Sequence, residues 1–250
     1  MDNIKTFIDL NADIGEGLFT DAALMPFISS ANIACGYHAG DADTMRRTIE
    51  MCLKNNVSIG AHPSFDDKEN FGRTEIELPL IEIKYLIFNQ LKSLMELCSE
   101  LGATLHHVKP HGALYNMSAR NPLIASAIAE AVYDVDPSLI LFGLSGSHSI
   151  AEGVIAGLQT AAEVFADRTY QLDGSLTPRS LPNALINSDE AAIAQAVMLA
   201  EQHQVIATNG AIIPLMAETI CLHGDGPHAV SFARNINQTF IKRGIGIQAI

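Results

Sequence analysis

The chain has 250 residues, 48% of them hydrophobic, with 15 Lys and Arg against 28 Asp and Glu and a formal net charge of −13. That length and apolar fraction suit a globular α/β domain and exclude a disordered or fibrous chain, while the acidic balance disfavours nucleic acid and anionic membrane as partners. The start, MDNIKTFIDL, lacks a basic segment followed by a long apolar run, no long apolar stretch occurs later, and Cys35, Cys52, Cys98 and Cys221 form no CxxC pair, so a reducing, cytoplasmic location is the expectation.

Taken in chain order, short β-like runs alternate with helical patterns. The runs are Thr6–Leu10, Ala31–Ala34, Val57–Ala61, Thr104–Val108, Leu139–Leu144, Thr160–Phe165 and Thr219–Leu222. Helical spacing predicts Asp43–Lys54, Pro79–Leu101, Pro122–Val132, His148–Leu158, Asp189–Gln202 and Pro227–Ile241. The longest carries Leu80, Ile83, Ile87, Leu91 and Leu94 at intervals of three or four, with Pro79 in its first turn and Gly102 as its stop. Asn209-Gly210 predicts a small hairpin within Val205–Leu215. Strands nearly all separated by helices point to parallel α/β architecture. His62, Lys109, His111, Glu163 and His223 all fall at or just past strand C-termini, and a barrel gathers such ends around one mouth. Neither a domain boundary nor a repeat is visible, so residues 1–250 are expected to form one β/α-barrel domain.

Six clusters could carry chemistry. Asp9, Asn11 and Asp13 share a face if the first strand stays extended, and with Glu16 they suit a hard cation or an amine; a solvated capping loop is the plain alternative. Cys35-Gly36-Tyr37-His38-Ala39-Gly40-Asp41 can bring backbone and His38 to a ligand, although Asp41 or Asp43 could simply cap the next helix. His62 is a candidate base, acid or metal ligand, and Arg73 a clamp for a carboxylate or phosphate. His107, Lys109 and His111 share one face of an extended run; a buried Lys109 could hold a carboxylate, stabilise an oxyanion or act as a base. Glu163 shares a strand face with Phe165, while Asp167 and Arg168 begin a loop where a surface ion pair would suffice to explain them. His223-Gly224-Asp225 closes the last strand, with His223 a partner for His62 across the mouth; His148 and His203 read as structural. No GxxxxGK, GxGxxG, GxSxG or HExxH occurs, so a histidine, lysine and carboxylate pocket without a nucleotide cradle suits proton transfer or amide, ester or metal-assisted hydrolysis.

The runs Asp9–Glu16, Ser30–Asp41, Gly60–Pro63, His107–Asn116, Glu163–Arg168 and His223–Asp225 together resemble, in order and over nearly the whole chain, the LamB/YcsF family. The family usually has cysteine at the position of Ala12 and often phenylalanine at that of Tyr37; Ala12 argues against an essential thiol there. The resemblance implies an irregular seven-stranded TIM-like β/α barrel of the glycoside hydrolase and deacetylase type. It also implies the A component of an ATP-dependent 5-oxoprolinase, which opens 5-oxo-L-proline to L-glutamate while its complex with subunits B and C converts ATP to ADP and phosphate. The expected catalytic residues are then Asp13, His62, Lys109, His111 and Glu163. Asn11, Glu16, His38, Arg73, Asp167, Arg168, His223 and Asp225 are expected to bind substrate. A divalent metal of open identity would have Asp13, His62 and His223 as candidate ligands, imitating the Asp-His-His set of the related barrels. Two other readings compete: a metal-dependent deacetylase or amidohydrolase acting alone, and a non-catalytic subunit that delivers substrate. A carbohydrate-binding barrel lacks support, since the chain has no tryptophan to stack on a sugar.

Overall fold

Alternation of buried strands with amphipathic helices closes into a barrel in the computed structural model, which describes residues 6–222 and 229–250. In chain order the elements are β1 (Thr6–Ile14), α1 (Asp21–Leu24), β2 (Ser30–Ala34), α2 (Ala42–Asn55), β3 (Ser58–His62), α3 (Leu80–Glu100), β4 (Leu105–Val108), α4 (Gly112–Arg120) and α5 (Pro122–Val135). There follow β5 (Ile140–Leu144), α6 (His148–Ile155), β6 (Gln159–Phe165), α7 (Asp189–Gln202), β7 (Gln204–Ile206), β8 (Ile212–Pro214), β9 (Thr219–Leu222), α8 (Ala229–Arg243) and β10 (Ile245–Ile247).

Seven parallel strands form the barrel in the order β1-β2-β3-β4-β5-β6-β9, and β9 pairs back onto β1. Irregularity enters at β1, whose first residues pair with β10 (Thr6 with Ile245) before β9 takes over at Asp9 with Thr219. Outward residues such as Leu10, Ala12, Ile14, Ile33, Val108, Val164 and Ile220 pack under the helices and are buried. The stripe Ile83, Ile87, Leu91 and Leu94 of α3 faces them, as its spacing predicts. Caps set the helix starts: Asp41 accepts from Thr44 N at 2.8 Å before α2, and Asn121 accepts from Leu123 N at 3.0 Å before α5, with Pro122 in its first turn. No described helix is long and apolar enough to cross a membrane.

The observed elements depart from the sequence expectation in three places. β1 continues to Ile14 rather than ending at Leu10, because its polar residues face an interior that hydrogen-bonds them. Helix α4 begins directly after Pro110 and His111, in a stretch where the spacing predicts no helix. Strand β10 has only three residues, too few to announce itself by alternation. The hairpin β7–β8 is antiparallel and falls within the expected stretch. The predicted start of the last helix at Pro227 lies outside the described residues.

The barrel interior is unusual for being polar. Apolar contact inside it comes from Ile140, Phe142 and Ala161 on β5 and β6. The His107 ring lies flat on Phe142, with centroids 4.2 Å apart and planes 13° apart. Gly60 opposite makes room for that ring, since a Cβ there would stand 2.0 Å from His107 Nε2.

Candidate active site

The floor of the interior is a closed hydrogen-bond network. Asp9 accepts from Ser29 Oγ at 2.6 Å, Ser30 Oγ at 2.7 Å and Thr219 Oγ1 at 2.5 Å; burial nevertheless pushes its carboxyl above the usual range. One layer up, Asn11 Nδ2 donates to Thr219 Oγ1 at 2.6 Å and Glu163 Oε1 at 3.0 Å. Asn32 Nδ2 donates to Asn11 Oδ1 at 2.7 Å and Asp13 Oδ1 at 2.8 Å, and Asn32 Oδ1 receives His107 Nε2 at 2.8 Å. Burial, helped by neighbouring His106 and Lys109, keeps His107 neutral.

Lys109 sits above this layer. Its Nζ lies 2.9 Å from Asp13 Oδ1, from Glu163 Oε1 and from Cys221 Sγ. Burial works against the ammonium, but Asp13, Cys221 and Glu163 more than offset it and hold its pKa well above the ordinary lysine value. Because the Cys221 thiol is itself pushed up by burial and stays protonated, the two carboxylates carry this effect. Lys109 is therefore a fixed cation that donates to Asn11 Oδ1, Asp13 Oδ1 and Cys221 Sγ and pairs with Glu163, and the general-base option is removed. Asp13 has Oδ1 taken by Asn32 and Lys109 while Oδ2 faces the mouth, 3.4 Å from His62 Nε2. Tyr115 lines the cleft above; burial first, and then Glu163, raises its phenol well beyond the usual value.

At the mouth, four consecutive strand ends converge. Glu16 follows β1, His38 follows β2, His62 ends β3 and His111 follows β4, and their ligand atoms all lie within 4.8 Å of one another. Each histidine has one nitrogen committed. His62 Nδ1 donates to Lys109 O at 2.7 Å, and His111 Nε2 donates to Phe71 O at 2.8 Å. His38 Nδ1 meets Ser64 Oγ at 2.9 Å. Burial, then the His62 neighbour, drives His38 down to about 3, and burial also lowers His111 strongly, so both rings are neutral. In neutral rings the remaining nitrogens are lone pairs, and all three are aimed at one place. His62 Nε2 and His111 Nδ1 are 2.9 Å apart, and His38 Nε2 is 3.3 Å from Glu16 Oε1. Acceptors facing acceptors repel unless a cation stands among them. Counted formally, the carboxylates of Asp13, Glu16 and Glu163 against the ammonium of Lys109 leave −2 in this buried cluster, which a divalent ion would neutralise. The residues thus fit a metal. Three imidazoles with a carboxylate favour a first-row transition ion over magnesium or calcium.

The centre opens into a cleft of about 1100 Å³ lined by Phe71, Arg73, Tyr115, Arg120, His148 and a strap formed by residues 171–181. The strap belongs to the long connection 166–188 between β6 and α7, which has only isolated bridges. Buried Arg168 pins it, donating from Nη2 to Thr177 O at 2.7 Å and from Nε to Ala184 O at 3.3 Å. Burial and nearby Arg179 bring the Arg168 guanidinium down to about 10. Gln195 of α7 adds Nε2 contacts to the carbonyls of Phe165, Ala166 and Arg168.

Of the residues singled out from the sequence, the structure brings Asp13, Glu16, His38, His62 and His111 together, with Asn11, Lys109 and Glu163 directly beneath. Arg73 stands exposed on the cleft wall, its guanidinium 5.1 Å from the Phe71 ring centre. Arg168 lines the cleft, but its guanidinium donates to the carbonyls of the strap. Asp167 is not on the cleft wall; its carbonyl accepts from Ile186 N at 2.8 Å. His223 and Asp225 lie outside the described residues, so of the Asp13, His62 and His223 trio only the first two are seen to meet. His148, read as structural, lines the cleft, whereas His203 caps α7 and accepts from Ala217 N at 3.3 Å. Ser64 and Gln90 carry no sequence signal of a site beyond one: Gln90 is a polar residue on the apolar face of a predicted helix.

Seven parallel strands closed into a barrel, with a histidine and carboxylate centre at their C-terminal mouth, define a β/α-barrel protein of the carbohydrate-esterase and deacetylase fold. A family 4 carbohydrate esterase from Streptomyces lividans superposes with a TM-score of 0.51 at 11% identity, covering 99% of this chain and 94% of that one. The catalytic domain of a peptidoglycan N-acetylglucosamine deacetylase from Eubacterium rectale does so with a TM-score of 0.54 at 11% identity, covering 98% and 88%. Far nearer is a lactam utilization protein from Thermus thermophilus, with a TM-score of 0.93 and 36% identity over 98% of this chain and 100% of that one. The LamB/YcsF family matches residues 8–250, and the chain belongs to that family.

Proposed function

We propose that the chain is a metal-dependent amidohydrolase that opens a small lactam, 5-oxo-L-proline to L-glutamate, and that ATP is consumed by partner subunits B and C. The observation that carries the hydrolase reading is the convergence of His38 Nε2, His62 Nε2, His111 Nδ1 and Glu16 on one point, all within 4.8 Å of one another. These four residues would hold a divalent ion, which supplies Lewis acidity toward an amide carbonyl. Asp13 Oδ2, turned to the mouth by Asn32 and Lys109, is placed to take a proton from water as its oxygen adds to the carbonyl carbon. The same carboxyl returns that proton to the ring nitrogen as the C–N bond breaks, so lactam plus water gives the amino acid. Arg73, exposed on the wall of this cleft, is placed to meet the carboxylate of an anionic substrate. The lactam class is supported by likeness to the Thermus protein, and the missing GxxxxGK loop favours leaving ATP to the partners.

Reconstitution with B and C, assaying glutamate and ADP together before and after chelation, tests this reading. Glutamate formation is expected to stop on chelation and return with a first-row divalent ion, and the chain alone is expected to show no measurable ATP turnover. Undiminished glutamate formation by protein verified metal-free would refute the metal reading. Turnover of acyclic N-acetyl substrates by the chain alone, with none of the lactam, would instead favour a stand-alone deacetylase, which the fold kinship makes the second reading.

A further inference from the structure

A metal reading requires each imidazole to carry its proton on the nitrogen facing away from the centre. For His62 and His111 the outer acceptors are backbone carbonyls. His38 relies on a side chain. Ser64 Oγ donates its single proton to Phe65 O at 2.8 Å, so toward His38 Nδ1, 2.9 Å away, it can only accept. Ser64 is itself clamped from α3. Gln90 Oε1 accepts from Ser64 N at 3.0 Å, and Gln90 Nε2 donates to Ser64 O at 2.8 Å and to Leu86 O at 3.1 Å. Reversing that amide would set its oxygen against two carbonyls, so its orientation is determined. Gln90 is fully buried among Ile83, Ile87, Leu91 and Leu94, where an amide is costly unless every hydrogen bond is made, and here each polar atom has a partner.

We propose that Ser64 and Gln90 are positioning residues that hold His38 in its Nδ1–H form and aim its Nε2 lone pair at Glu16. The consequence for metal affinity rests on the amidohydrolase reading; the tautomer does not. Removal of the Ser64 hydroxyl leaves Glu16 as the competing acceptor, 3.3 Å from His38 Nε2. The proton then moves to Nε2, donates to Glu16 and blocks the lone pair a metal would use.

The experiment is nitrogen-15 NMR of the histidine rings in the full chain, metal-free, with zinc affinity measured in parallel by competition against a chelator. Wild type is expected to show His38 protonated on Nδ1. Ser64→Ala is expected to move His38 largely to the Nε2–H form and weaken zinc binding by about 10- to 100-fold. Ser64→Thr, which keeps the hydroxyl, is expected to retain the wild-type tautomer and an affinity within about threefold, well short of that loss. Gln90→Met leaves Ser64 chemically intact but unclamped and is expected to give a mixture of tautomers, which keeps the test open should Ser64→Ala fold poorly. An Nε2–H ring in wild type, or unchanged tautomer and affinity in folded Ser64→Ala, overturns the proposal. A wild type that shows the Nδ1–H ring yet binds no zinc upholds the positioning and overturns the metal reading instead.

Discussion

Replacing Lys109 with methionine should destabilise the barrel strongly, by an amount that depends on pH. The substitution keeps most of the side-chain volume and removes one ammonium from between Asp13 and Glu163, each 2.9 Å from Nζ. Lys109 is 2% exposed and Glu163 fully buried, so water does not replace the lost charge. Breaking a buried ion pair from one side costs about 3–5 kcal/mol, and here one cation serves two carboxylates. Without Lys109 the native state favours a protonated carboxyl, which places the folded pKa of that carboxyl above its unfolded value. Stability relative to wild type is then lost as pH rises through that raised pKa and is recovered toward acid. The deficit should be largest at pH 8 and smaller at pH 5. Glu163→Gln in the Lys109→Met background restores the original charge of the pair and should recover more than about 1 kcal/mol, a coupling typical of residues in direct contact. Urea unfolding followed by circular dichroism at both pH values measures wild type, Lys109→Met, Glu163→Gln and the double variant. A Lys109→Met deficit under about 1 kcal/mol at pH 8, with no recovery in the double variant, would show that the ammonium is not held as described.

Three further outcomes are expected. Gly60→Ala places a methyl 2.0 Å from His107 Nε2 and should expel that ring from Phe142 and Asn32, lowering stability by about 3 kcal/mol or leaving the chain insoluble; a thermal melt near wild type would contradict this. Arg168→Met removes the hydrogen bonds to the carbonyls of Thr177 and Ala184, leaving the latter to Thr169 N alone, and should speed limited proteolysis within residues 169–186 while barrel strands stay protected, as mass spectrometry of early fragments would report. Asp21 accepts from Gly15 N at 2.9 Å with Oδ1 buried and unpartnered, and burial lifts its pKa from 3.8 to about 6. A raised carboxyl pKa favours the native state in acid and opposes it above pH 6, so Asp21→Asn should raise the melting temperature at pH 8 and bring no gain at pH 4.

Much of the architecture could be read from spacing, because spacing reports which face is apolar. Ile83, Ile87, Leu91 and Leu94 repeat at helical intervals and line one buried stripe of α3. The run Leu139–Leu144 is apolar throughout, as a barrel strand covered on both faces must be, and β5 falls there. Pattern fails where polar residues are structural. Asp9, Asn11 and Asp13 look like a loop to any propensity argument, yet they are strand residues whose hydrogen bonds are made by Ser30, Asn32, Lys109 and Thr219 from other segments. Those partners lie up to 210 residues away, beyond the reach of local pattern. The site was legible to the extent that strand ends are. His62 and Lys109 follow obvious runs, and Glu16, His38 and His111 lie in polar clusters visible in the sequence, but their mutual approach depends on which strands are neighbours in the barrel. Of the expected metal set Asp13, His62 and His223, the last lies outside the described residues; among the described residues the fourfold cluster comes from the adjacent ends of β1 to β4.

The two layers of the interior differ in one respect that bears on what the barrel does. In the lower layer donors and acceptors are largely matched, with Glu163 Oε2 the exception: Asn32 has its amide nitrogen and oxygen engaged, Asn11 likewise, and Asp9 draws three hydroxyls. Such a network has one low-energy arrangement and resists displacement. In the upper layer the balance fails. Outer contacts can absorb one proton of each ring, which in neutral rings leaves the inner atoms of His38, His62, His111 and Glu16 all acceptors. A folded chain keeps like groups pointed at one another only where the surroundings impose it. Here the imposition is visible, in Lys109 O, Phe71 O and Ser64 Oγ, and in Phe71, whose left-handed φ of 57° brings its carbonyl to His111. Phe71 is not glycine, so that conformation costs energy locally. Its ring meanwhile packs edge-on against both His38 and His111 at 5.5 and 5.4 Å, fixing the two imidazoles it serves. Strain and repulsion gathered at one point, above a layer built to stay rigid, are what a preorganised cation site requires, and they leave the cleft side open for the amide that such an ion would polarise.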